Sequence, residues 1–152
     1  WRGGEDTRPL TAVGAREAIA LVPMLSAFGA EEVLTSPWAR CRDTVQPYAN
    51  ASGLDLVGAP QLTEDGAKAD PKGAKALVTE LLRVRRPGAV LCLHRPTLPI
   101  VLDAVSKRSA YRVRELLPES DPWLSTGQLL VLHLASPGKH KARVVAAELH
   151  GG

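Results

Sequence analysis

Nowhere does the chain carry an apolar run of the roughly 20 residues that a membrane-spanning helix needs, and no signal peptide is visible at its start. A cytoplasmic setting and no membrane partner are therefore expected. Aromatic side chains are scarce, at 4% of the residues, and no RNP-like or zinc-finger pattern occurs. The mild positive charge, +3 with an isoelectric point near 9.1, thus points to small anions rather than to nucleic acid. There are only two cysteines, Cys41 and Cys92, and they form no CxxC pair. Both fall in predicted elements and read as small buried hydrophobes in a reducing compartment. The chain has no Walker A loop, GxGxxG, GxSxG or HExxH, and no cluster with metal-ligand spacing. P-loop, dinucleotide-binding, serine-hydrolase and zinc-protease chemistry are thereby excluded.

With 45% hydrophobic residues in a length of 152, one ordinary domain with a sizeable core is expected over residues 1–152. Ala89 to Leu93 is a continuous apolar run that reads as a strand buried on both faces. His94, Pro96 and Thr97 follow it, and Leu98 to Val105 reads as a helix. Earlier, Thr11 is a candidate N-cap for a helix whose stripe is Val13, Ala18, Ile19, Leu21, Val22 and Leu25. Gly29 ends that helix, Glu32–Thr35 is a short strand, and a second helix runs from about Ala39 to Ala51. Leu54–Val57 is a further candidate strand. Residues 59–71 read as a loop, and Pro71 opens another helix with Ala74, Leu77, Val78, Leu81 and Leu82 inward. Arg83, Arg85 and Arg86 at its end complement the helix dipole. Arg112–Leu117 is read as either a short strand or a helical turn. Gly127–Leu134 and Arg143–Leu149 read as a hairpin joined through 136–141. His133, His140 and His150 lie in or beside it and share no ligand spacing.

Helices alternating with strands predict an α/β fold, a three-layer α/β/α sandwich with a mostly parallel central sheet and a C-terminal β-hairpin. In such sheets ligands bind beyond the carboxyl ends of the strands. Strand 32–35 delivers Ser36, Arg40 and Arg42 there, and strand 89–93 delivers His94 and Arg95. If the two strands are parallel, both groups face one rim, where Arg guanidinium and helix starts suit a phosphate. A lone histidine at a strand end is more often structural than catalytic; the second, similarly built strand end is what favours function here.

Three segments carry a resemblance. Asp6-Thr-Arg-Pro-Leu-Thr-Ala-Val-Gly14 is similar to the D-x-RPLT-x-x-G stretch of SixA-like members of the histidine phosphatase superfamily. Leu34-Thr-Ser-Pro-Trp-Ala-Arg-Cys-Arg-Asp-Thr44 resembles that superfamily's S-P-x-x-R-x-x-x-T segment, and Leu91-Cys-Leu-His-Arg-Pro-Thr97 its second histidine motif. They occur in the family's order. The wording around Trp1–Asp6 and Leu124–Gly127 is closest to the C-terminal phosphatase domain of two-domain actinobacterial MutT-like proteins, which join it to a Nudix hydrolase domain.

The resemblance implies hydrolysis of phosphorylated nucleotides through a phosphohistidine. Oxidised guanine nucleotides or dinucleoside polyphosphates are the implied substrates, and the Nudix domain is the implied partner. It implies no cofactor in this domain, with magnesium in the Nudix partner. By match of motif Arg40 would clamp the phosphate, His94 would contact it, Arg8 would join them in binding it, and Glu64, with Asp65 behind it, is the candidate proton donor. One departure stands out. The family's Arg-His-Gly/Ala strand, which carries the attacking histidine, has no counterpart here, and none of the four histidines precedes Arg8. The expectation is that this strand lies upstream of Trp1 and that residues 1–152 alone are inactive. A non-catalytic module that shapes the Nudix site and an unrelated α/β nucleotide-binding domain are the alternatives.

Overall fold

A computed structural model describes residues 1–82, 88–135 and 142–151. The arginine cluster at 83–86 and the 136–141 connection with His140 lie outside the described residues. A short 3-10 turn at Glu5–Thr7 precedes helix α1, Ala12–Ala27. The Thr11 side chain caps α1, accepting from the Gly14 N–H at 3.1 Å, as the sequence predicts. Strand β1, Ala30–Thr35, leads into α2, Ala39–Ser52, which closes on Gly53 in the left-handed conformation at φ 67°. That geometry favours glycine. Strand β2 is Leu56–Gly58.

The segment expected as a loop from 59 to 71 is instead structured. A 3-10 turn at Pro60–Leu62 runs into α3, Glu64–Ala69. Thr63 supplies the reason, since its side chain accepts from the Gly66 N–H at 2.8 Å and donates to the Pro60 carbonyl at 2.8 Å. A Cβ on Gly66 would stand 2.1 Å from the Pro60 carbonyl oxygen. Gly66→Ala is therefore expected to lower stability by about 1–3 kcal/mol, measurable by urea denaturation; an unchanged midpoint would contradict the tight turn. Helix α4, Pro71–Leu81, opens on proline as predicted. Strand β3, Gly88–Cys92, is followed by a 3-10 turn at Arg95–Thr97 and by α5, Leu98–Ser106. The ambiguous 112–117 segment begins as a helical turn, α6, Tyr111–Arg114. Strands β4, Leu129–Ala135, and β5, Arg143–His150, pair antiparallel as the expected hairpin.

Strands β2, β1 and β3 form a parallel sheet in that order. Helices cover both faces. Leu21 and Leu25 of α1 and Val45 and Tyr48 of α2 pack on one face with Val33, Val90 and Cys92. Val78 and Leu82, with Val101 and Val105 of α5, pack on the other with Leu91 and Leu93. Two members of the expected α1 stripe, Val13 and Ile19, are exposed; the buried positions are Ala18, Leu21 and Leu25.

Strand β3 departs from expectation in one respect. It is not buried on both faces: Gly88 and Ala89 are exposed, and Val90 to Cys92 are half-buried. The cause is its second edge, which pairs with no described strand. Beyond that edge lies a partly open cavity of about 680 Å³, lined by β3 on one side and by β4 on the other. Leu129 joins the α1/α2 core, whereas Leu130 and Leu132 join the α4/α5 core. Interiors hold few voids larger than a water. Among the described residues no helix is long and apolar enough to cross a membrane.

Candidate active site

The parallel pairing of β1 and β3 sets the site. Thr35 stands opposite Cys92, so the residues that follow each strand emerge at one rim. The Ser36 N–H extends the ladder by donating to the Cys92 carbonyl at 2.9 Å. His94 is buried there, and its Nε2 lies 2.8 Å from Ser36 Oγ. Ser36 Oγ also accepts from the Trp38 N–H at 3.3 Å. A hydroxyl has one proton and two acceptor lone pairs, so Ser36 serves Nε2 in either tautomer of the imidazole while Nδ1 stays on the side of Glu64. Nδ1 lies 3.7 Å from Glu64 Oε1. The Trp38 ring meets the imidazole edge-on, with centroids 4.7 Å apart, and the Arg40 guanidinium sits 5.9 Å from the Trp38 ring centre. Ser36 and Trp38 thus fix the imidazole in orientation.

Arg40 comes from the first turn of α2. Its Nη2 is 3.7 Å from the same Glu64 Oε1, and its Nη1 donates to Glu5 Oε2 at 2.6 Å. Arg40, His94 and Glu64, named separately from sequence, are therefore brought together around a single carboxylate oxygen. Glu64 reaches it because the Thr63 cap places it in the first turn of α3. Arg8 is less close. It is exposed and joins the group only through Glu5, at 3.4 Å. The other two cations expected at the rim stay out of it. Arg42 is exposed and bonds Asp43, at 2.9 Å, and Arg95 is exposed.

Several residues of the site went unread in the sequence. Glu5 is the main one: the Arg40 hydrogen bond holds its carboxyl below the usual carboxylate range, helped by the charge of Arg8. Its ionised form is thus favoured in the folded chain, and this contact weakens as pH falls through the lowered value. Nothing local marked Glu5, because its partner is 35 residues away. Cys41 is the second. Its Sγ lies 3.5 Å from Nε2 and 3.8 Å from Nδ1 of His94. Among the described residues no group of three His, Cys, Asp or Glu could hold a metal ion. His133 and His150 bond Glu148 on the hairpin, at 2.5 and 2.9 Å.

A guanidinium and an oriented imidazole converging on one oxyanion at the carboxyl ends of parallel strands make an arrangement chemically suited to a phosphoryl group. Residues 1–70 match the histidine phosphatase superfamily (branch 1). The chain is 30% identical over 151 residues to an 8-oxo-(d)GTP phosphatase of Mycolicibacterium smegmatis, a match that covers 93% of this chain and 45% of that protein. The chain thus spans about half the length of this curated relative. Its fold is similar to that of the protein histidine phosphatase SixA complexed with tungstate, with a TM-score of 0.58, 20% identity, and coverage of 97% of this chain and 87% of that one. A mycobacterial glucosyl-3-phosphoglycerate phosphatase bound to VO3 gives a TM-score of 0.62 at 16% identity, covering 94% and 88%. The order of the three motifs, the parallel sheet with its rim and these matches make the chain similar to the histidine phosphatase superfamily, whose model covers residues 1–70.

Proposed function

We propose that this chain is the greater part of a phosphatase domain that hydrolyses phosphorylated nucleotides through a phosphohistidine, within a longer protein that also contains a Nudix hydrolase domain. The observation that carries the reading is the Glu64 oxygen held 3.7 Å from both Arg40 and His94. A carboxylate oxygen there stands in for a phosphoryl oxygen. Oxidised guanine nucleotides are the favoured substrate class, because the mycolicibacterial relative is an 8-oxo-(d)GTP phosphatase.

The attacking group comes from the strand that fills the slot between β3 and β4. That slot has a free strand edge on the β3 side and apolar lining from both core layers. A strand inserted there parallel to β3 ends at the same rim as Ser36 and His94. A histidine at its end attacks phosphorus, and the leaving oxygen departs opposite. Arg40 binds two phosphoryl oxygens and holds the charge that develops on them. Nδ1–H of His94 donates to a third. Glu64, displaced from between the two cationic groups by the incoming phosphate, protonates the leaving oxygen and then deprotonates the water that cleaves the phosphohistidine.

The full-length protein is expected to release phosphate from 8-oxo-dGTP or its hydrolysis products in a colorimetric assay. Absence of release from every nucleotide tried would favour the second reading, a phosphatase-fold module that only docks on its neighbour. Glu64→Gln is expected to lower turnover by about 10²-fold or more on alkyl phosphates and far less on activated aryl phosphates, whose leaving groups need no proton. Equal losses on both would remove Glu64 as the proton donor.

A further inference from the structure

A cleft of about 320 Å³ lies between α5 and the segment that follows α6. Pro99, Asp103 and Ser106 line it from one face of α5, and Arg114, Glu119 and Trp123 line it from the facing segment. Pro99 stands in the first turn of α5, directly after the Arg95–Thr97 turn that follows His94. The cleft therefore starts next to the rim and runs about 10 Å down the helix. Trp123 is held in the left-handed region at φ 60°, the only non-glycine residue there among the described residues. Bulky side chains avoid that region, and residues kept in such conformations cluster at ligand sites. The turn is fixed by hydrogen bonds: the Trp123 N–H donates to the Ser120 carbonyl at 2.7 Å, and the Leu124 N–H to the Pro122 carbonyl at 2.6 Å. A half-buried indole thus lines the cleft, and among the described residues nothing accepts from its Nε1–H.

The charged groups of the cleft are unequally engaged. Asp103 is already paired with Lys75 and, at 2.9 Å, with Lys107. Arg114 uses only its Nε, which donates to the Ser109 carbonyl at 3.3 Å. Its two terminal nitrogens and the Glu119 carboxylate have no partner among the described residues. An aromatic plane beside one free carboxylate and one free guanidinium matches a guanine base. The base's N1–H and N2–H groups lie side by side and suit a carboxylate, its O6 suits a guanidinium, and its ring stacks on an indole. Adenine sets an acceptor nitrogen where guanine has N1–H, so it meets the carboxylate lone pair to lone pair. Oxidation at C8 leaves the N1–H and N2–H edge unchanged. We propose that this cleft holds the guanine base of the nucleotide whose phosphate sits at the rim, with Trp123 stacked on the base and Glu119 and Arg114 reading its edge. The inference rests on the nucleotide reading above and adds to it the residues that select the base.

The test uses the full-length protein. 8-Azidoguanosine, which carries no phosphate, is photolysed in its presence, and the adduct is mapped by peptide mass spectrometry. The label is expected on the peptide that holds Trp123, suppressed by excess guanosine and not by adenosine. This measurement needs no turnover, so its failure is distinct from failure of the phosphatase reading. Glu119→Gln and Trp123→Leu are each expected to raise KM for 8-oxo-dGDP by about 10-fold with little change in kcat. Glu119→Gln is also expected to narrow the preference for guanine over adenine nucleotides. No label between residues 99 and 123, or a label that adenosine suppresses equally, would overturn the site. An equal loss on p-nitrophenyl phosphate, which has no base, would show a structural role and overturn it too. Glu119 is exposed, so its variant leaves the core intact, and an unchanged KM there would overturn the reading of the base edge.

Discussion

Replacing Arg40 by alanine is expected to lower phosphatase turnover of the full-length protein by about 10²–10⁴-fold, with a smaller change in KM. The guanidinium is held ready for an oxyanion before any substrate arrives. Glu5 sits 2.6 Å from one nitrogen and Glu64 3.7 Å from another. In the ground state these carboxylates compete with the phosphate. In the transition state, where charge spreads over the phosphoryl oxygens, a planar two-point donor gains most. Arg40→Lys keeps the charge but not the fork and is expected to recover only a small part of the loss. Turnover of Arg40→Ala within a factor of a few of the wild type would remove Arg40 from the chemistry. The converse change, Glu5→Gln, removes a competitor for Arg40. It is expected to tighten binding of orthovanadate severalfold at low ionic strength, where an exposed pair counts most. Titration calorimetry measures it, and weaker binding would show that Glu5 holds Arg40 in position rather than competing with the ligand.

The rim was legible in the sequence because it is written in strand ends. Arg40 and His94 each follow a short strand readable from sequence, and the parallel pairing of β1 with β3 follows from a helix between them. Thr11 and Pro71 were legible as helix starts because capping and proline geometry are local. The turn carrying Glu64 was not. Residues 59–71 hold Pro, Gly and Asp, which look like a loop, yet Thr63 and Gly66 close a capped helix that no apolar periodicity announces. Glu5, Trp38 and the Cys41–Cys92 pair were invisible for a different reason: their partners are long-range, and only the packing of α2 onto β3 brings them together. Strand β3 reads as doubly buried because its side chains are apolar, whereas its second edge pairs with no strand among the described residues and is left exposed.

That free edge underlies the second large effect. Residues 1–152 alone are expected to show no histidine-phosphatase turnover, a loss of at least about 10⁴-fold relative to the longer protein, because the nucleophile is removed outright. His94 is no substitute. Its Nε2 is committed to Ser36 at 2.8 Å, and Nδ1 faces the site from beside Arg40, where it flanks the phosphate rather than standing in line with the leaving group. His133 and His150 are tied to Glu148 on the hairpin. The same residues co-expressed with a strand-length apolar segment that ends in Arg-His are expected to regain both turnover and thermal stability. The segment would pair with the open edge of β3 and fill the 680 Å³ slot. Full activity of residues 1–152 without any added strand would contradict both expectations.

The most direct measurement is to trap the phosphoenzyme. Full-length protein is quenched in alkali during turnover of a ³²P-labelled nucleotide and mapped by peptide mass spectrometry. The expected result is an acid-labile, alkali-stable phosphoryl group on a histidine outside residues 1–152, abolished in Arg40→Ala. Label on His94, or steady turnover with no phosphohistidine at all, would contradict the account.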